Sequence, residues 1–135
     1  MSALTLGEAI DRLSIESRRL VELELQPARD NAGIVSARER IAAAVKRLIV
    51  PNDEPEQEEL ASAHVWRHYR LAAVNNALWE RENQVRAWNR LIEVGELSAS
   101  EHYQLQTYRE ISRLNSMRAG LIAEIDGTVP EKIYR

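Results

Sequence analysis

The sequence predicts an all-α protein: an antiparallel helical bundle of about four helices, with one long third helix. Three observations carry that expectation. Only 5 Gly and 4 Pro occur in 135 residues, while Ala, Leu, Glu and Arg are abundant, and those residues lose little on entering a helix. Apolar residues recur at three- and four-residue intervals, with no alternating run that would suit a strand. Several of these periodic segments open on a capping-box sequence. Helical content above about 70% follows.

Thr5-Leu6-Gly7-Glu8 reads as the first capping box, with Thr5 as N-cap and Glu8 three residues on. Leu6, Ile10, Leu13, Leu20 and Leu23 continue with helical spacing, so the first helix spans about 6–26 and stops at Pro27 and the 30–33 turn sequence. Ser36-Ala37-Arg38-Glu39 offers a second box; Ile34, Ala37, Ile41, Val45 and Leu48 carry the face of a second helix that ends near Ile49, ahead of Pro51. These two helices should form an antiparallel hairpin. Residues 50–57 read as an acidic linker broken by Pro51 and Pro55. Its acids, with Glu58 and Glu59, suit the N-terminal dipole of the next helix better than a metal cluster, and no metal site is expected. The third helix should run from about Glu56 to Val94, with Gly95 just past its end, a length on the order of 55–60 Å. Ser98-Ala99-Ser100-Glu101 is a further capping box, opening a fourth helix that closes near Asp126-Gly127. The whole of 1–135 reads as a single domain.

Composition excludes several classes of function. There is no cysteine, hence no disulfide or thiolate metal site. A net charge of −3 argues against a nucleic-acid binder. The N-terminus lacks the basic start and apolar run of a signal peptide, and no apolar stretch could span a bilayer; a soluble, cytoplasmic chain with no membrane partner is expected. His64 and His68 are four apart but lack the Glu of a metalloprotease helix, and His102 completes no ligand set. Trp66, Trp79 and Trp88 are expected to be packing anchors, because no basic stripe accompanies them as in a base-stacking platform. The third helix is too long for two shorter helices to cover, so a two-fold homodimer is expected.

The informative feature is polarity on packing faces. A three–four stripe from Leu60 runs through His64, Arg67 or His68, Leu71, Asn75, Leu78, Glu82, Val85, Asn89 and Ile92. In the fourth helix Tyr108, Ile111, Asn115, Arg118, Ile122 and Ile125 share a face; in the first, Asp11, Ser14 and Arg18 do. Antiparallel packing could gather Arg18, Arg86 and Arg118 around Glu82, Asn75 and Asn115. Such a set is either a hydrogen-bonded network that fixes register or the lining of an inter-helix pocket. Several Arg beside one carboxylate would suit a phosphate, carboxylate or sugar-phosphate ligand.

Asp11-Arg12-Leu13-Ser14-Ile15 with Arg18, then Val74-Asn75, Leu78-Trp79, Glu82, Val85 and Arg86, then Asn115, Arg118, Ala119 and Ile125, and finally Glu131-Lys132-Ile133-Tyr134 form an ordered set. In that order and spacing the chain resembles a small all-helical bacterial family of unknown function met beside surface-polysaccharide glycosyltransferases. The resemblance spans most of the chain outside residues 27–60. Asn83 and Ser116 stand where the family pattern has Asp, and Gly120-Leu121-Ile122 replaces a basic stretch. The resemblance implies a helical fold and a polar site, and brings no substrate.

The resulting expectation is a polar inter-helix site for an anionic small molecule of the sugar-phosphate or nucleotide-sugar type, in surface-polysaccharide metabolism. Glu82 would act as acid or base, or as a metal ligand. Arg18, Arg86 and Arg118 would hold the anionic part, Asn75 and Asn115 would orient it, and Lys132 and Tyr134 would close over it. The alternative is a non-enzymatic homodimeric module whose polar seam fixes helix pairing. A helical nucleotide pyrophosphohydrolase would need facing acid pairs; Glu8 and Asp11 are one, with no convincing second set. Whether the chain is an enzyme stays open at this level.

Overall fold

The computed structural model of the chain describes residues 4–51, 53–96 and 101–128. Four helices follow in order: α1 (Leu6–Leu25), α2 (Asn31–Leu48), α3 (Pro55–Glu93) and α4 (Glu101–Thr128). Of the described residues, 87% are helical and none lies in a strand. No helix among them is long and apolar enough to cross a membrane.

The helix ends show which local signals decide. At α1 the expected capping box is present: the Glu8 N–H donates to Thr5 Oγ1 at 3.1 Å, and the Thr5 N–H donates to Glu8 Oε1 at 3.2 Å. At α2 the cap is Asp30 rather than Ser36, because the Gly33 N–H donates to Asp30 Oδ1 at 2.9 Å. A Cβ on Gly33 would lie 2.4 Å from the Asp30 carboxylate, so glycine is what lets that cap close. Ser36 sits a turn inside the helix, and its hydroxyl accepts from Arg40 at 2.7 Å. Pro55 does not break a helix. It opens α3 at the first-turn position, where a missing N–H costs nothing, so the acidic linker is shorter than 50–57. α3 ends at Gly95 with φ +74°. The Glu96 N–H reaches Leu91 O at 2.9 Å and the Gly95 N–H reaches Ile92 O at 3.1 Å, the paired bonds of a Schellman end. The third capping-box sequence, at 98–100, lies outside the described residues.

The helices form two hairpins that share a wall. α1 and α2 pair antiparallel, with Arg47 donating to Leu4 O near one end and Arg40 beside Glu16 farther along. α3 and α4 are antiparallel too: Arg81 meets Glu110, Asn75 meets Arg118 and Arg67 meets Glu124, stepping oppositely along the two chains. α1 connects the hairpins because it carries two adjacent apolar stripes. Ala9, Leu13 and Leu20 enter a core with Ile34, Ala37, Ile41, Ala44 and Val45, against which Val65, Trp66 and Tyr69 of α3 pack. Val21 and Leu25 face another way, into a second core with Ala73, Val74, Ala77, Leu78, Leu114 and Leu121. The 39 residues of α3 span about 58 Å at 1.5 Å per residue. Its fully buried positions are confined to 73–78, so both ends of this helix run past the shared core.

Candidate functional site

Polar side chains collect in two places, on opposite sides of the middle of α3. The first is the junction of α1, α3 and α4. Arg81, 13% exposed, donates to both oxygens of Glu22 at 2.5 and 2.6 Å and to Glu110 at 3.0 and 3.1 Å. Arg18 donates to the same Glu22 at 2.5 Å, to Asn76 at 3.1 Å and to Glu80. A guanidinium has five N–H donors in a planar fork, and Arg81 spends its fork on two carboxylates from two other helices. Those bonds hold the Glu22 carboxyl below its ordinary value, against the opposing effect of burial, with Arg18 helping. The same contacts push Arg81 higher still. A second cross-brace lies farther along, where Arg70 makes a two-pronged contact with Glu24 at 2.7 and 3.0 Å and sits 5.7 Å from the Trp66 ring. In these networks the charges are consumed by one another, and their consequence is the relative placement of three helices.

The second place is a groove of about 280 Å³ between α3 and α4, lined by Asn75, Leu78, Trp79, Glu82, Asn115 and Arg118. Asn75, Trp79 and Glu82 fall on one side of α3 because they are separated by four and three residues; Asn115 and Arg118 share a side of α4 for the same reason. Arg118 donates through Nε to Asn75 Oδ1 at 3.1 Å. That bond fixes the guanidinium plane and leaves its two terminal nitrogens without a protein partner among the described residues. Glu82 lies 3.6 Å from Arg86, and the Arg86 guanidinium sits 5.9 Å from the Trp79 ring centre. The lining carries one cation, Arg118, and one carboxylate, Glu82, and Arg86 at the edge adds a second cation beside that carboxylate.

The structure thus brings together Asn75, Glu82, Asn115 and Arg118, with Arg86 at the edge. Arg18 is elsewhere: it belongs to the α1–α3 junction and does not approach Glu82. Lys132 and Tyr134 lie outside the described residues. Trp79 is not a packing anchor. It is 59% exposed and forms a wall of the groove, whereas Trp66 packs against the first core. Sequence reasoning missed Arg81, Glu22 and Glu110. His64 and His68 lie 5.9 Å apart ring to ring, and no group of three potential metal ligands occurs among the described residues.

The groove can bind rather than obviously react. It is open, its polar members are exposed, and its volume falls just short of the usual range of ligand sites, which run from about 300 Å³ upwards. Its donors and acceptors are Arg118, two carboxamides and one carboxylate, set beside an exposed indole face. No family model, no curated protein and no solved structure matches the chain.

Proposed function

We propose that the α3–α4 groove binds an anionic small molecule of the sugar-phosphate type, and that the chain is a cytoplasmic binding protein in surface-polysaccharide metabolism, the setting its resemblance implies. The observation that carries the reading is Arg118: oriented by Asn75, its terminal nitrogens unspent among the described residues, beside an exposed Trp79. A fixed guanidinium suits two-pronged recognition of a phosphate or carboxylate. An exposed indole offers a flat apolar face to the ring of a sugar, and Asn75, Asn115 and Glu82 supply the planar donors and acceptors that hydroxyls need. The small volume favours a single sugar-phosphate over a nucleotide-sugar. Glu82 would be the group to exchange a proton if the ligand were turned over; ion-paired to Arg86, it serves in this reading as an acceptor.

Thermal unfolding with inorganic phosphate and a panel of hexose phosphates tests this. A ligand at ten times its Kd stabilises by about 1.4 kcal/mol, which for a chain of this size raises Tm by about 5 °C. Arg118→Met should abolish the shift while costing under about 1 kcal/mol itself, because the side chain is exposed and makes no ion pair among the described residues. No shift with any member of the panel, or a shift unchanged in Arg118→Met and Trp79→Ala, would defeat the reading.

A second reading, a non-enzymatic pairing module, is favoured by a different observation. The half-buried charges at Arg81 are engaged with one another across three helices, as expected of a network that sets helix register.

A further inference from the structure

The side of the molecule away from the Arg118 groove carries a feature that neither hairpin accounts for. α2 has two apolar stripes. Ile34, Ala37, Ile41 and Ala44 pack against α1. A neighbouring stripe, Val35, Arg38, Ala42, Val45 and Ile49, has the three–four alternation of a coiled-coil seam, yet Val35 is 53% exposed and Ala42 is exposed too. Beside it, α2 and the first turns of α3 enclose a groove of about 600 Å³ whose floor is Ile41, Val45, Ile49 and Trp66. Ala42 and Ala63 leave its rims low enough for a helix to approach. The walls are charged with opposite sign: Arg38 and Lys46 on the α2 side, Glu58 and Glu59 on the α3 side. Arg38 and Lys46 make no ion pair among the described residues.

We propose that this groove is the contact surface for a second copy of the same chain, related by a two-fold axis. Two features select that occupant. A two-fold axis places the basic α2 wall of one copy against the acidic α3 wall of the other, twice over, so the patch is complementary to itself. The same operation lays the exposed α2 ridge of each copy, Val35 and Ala42, along the apolar floor of its mate. The second feature is that ridge itself, whose apolar residues Val35 and Ala42 lie exposed. The proposal gives the pairing-module reading its surface and is independent of the Arg118 groove.

The experiment is light scattering on the full chain over a wide concentration range, with charge reversals. Wild type should have the mass of a dimer. Arg38→Glu with Lys46→Glu, and separately Glu58→Lys with Glu59→Lys, should each weaken association about tenfold or more, because like charges then face each other. Mixing the two variants should restore the dimer, since each reversed wall then meets its opposite in the other chain. Ala42→Glu, a single charge placed on the exposed ridge, should also give monomers. Circular dichroism establishes that each variant is folded. A wild type that stays monomeric at every concentration overturns the proposal. So does a dimer indifferent to both reversals and to Ala42→Glu but broken by Trp79→Ser, which would put the contact on the opposite face. Phosphate binding by the monomeric variants should match wild type, so this result and the fate of the Arg118 reading are separable.

Discussion

Arg81→Met removes the side chain on which three helices converge, and its cost can be worked from the contacts. Arg81 binds both oxygens of Glu22 and also reaches Glu110. Breaking a buried ion pair by deleting one partner costs about 3–5 kcal/mol. Here the carboxylates left behind are 39% and 23% exposed, and Glu22 keeps Arg18, so water and a remaining cation reduce the penalty to about 2–3 kcal/mol. Unfolding entropy near 2.1 cal/mol/K per residue gives about 0.28 kcal/mol/K for 135 residues. The expected fall in Tm is therefore about 7–11 °C, read by circular dichroism at neutral pH. Arg81→Lys keeps the charge but cannot form the two-pronged contact, and should recover about half of the loss. Adding Glu22→Gln and Glu110→Gln to Arg81→Met removes the orphaned charges and should restore part of the stability. A fall in Tm under about 3 °C for Arg81→Met, or a triple variant no more stable than the single, would refute the claim that this junction holds the hairpins together.

Two pH dependences follow from the same groups. Glu22 is held below its ordinary value of 4.5, first by its hydrogen bonds from Arg81; its stabilising contribution is complete above that value and is lost as pH falls through the lower folded one. Acid unfolding should therefore begin at higher pH in Arg81→Met than in wild type, and coincident acid transitions would count against it. His64 is pushed below 6.5 by burial, with His68 and Arg67 adding to the effect. The unfolded chain then takes up the proton first, so stability should fall as pH drops through the window just below 6.5, and His64→Gln should flatten that slope; an NMR titration midpoint at or above 6.5 would be the contrary result.

The fold was legible where a local signal has one physical outcome. Thr5 with Glu8 can satisfy two free helix N–H groups in one arrangement, and Gly95 is where α3 can turn through positive φ. Where two local signals competed, the sequence alone was ambiguous. Asp30 and Ser36 are both good caps; the outcome rested on Gly33, whose missing Cβ lets the Asp30 carboxylate reach its N–H. Pro55 is either a breaker or a starter, and which it is depends on whether its missing N–H would have had a partner.

The polar groups were legible as a population and not as an arrangement, for a reason of geometry. Each residue turns a helix by 100°, and α3 has three environments around its middle: α1, α4 and open solvent. A stripe traced from Leu60 in steps of three or four can drift between them over the length of α3, because the choice of step at each turn is free. Starting from the buried Val74 and stepping by seven gives Arg81, on the side that meets α1 and α4. Counting along the stripe through Asn75 and Leu78 gives Glu82, one residue on and on the open side. That single step separates the two kinds of chemistry seen here. Arg81 meets two carboxylates in a half-buried junction and spends four of its five donors on them. Glu82 faces water beside Arg118 and Trp79, where one of the Arg118 donors is spoken for among the described residues. The signal that would have found Arg81 is the partner helices: Glu22 follows Arg18 by one turn on α1, and Glu110 precedes the buried Leu114 by one turn on α4. Each is an acid beside an apolar stripe, and an acid so placed on two different helices calls for one cation on a third.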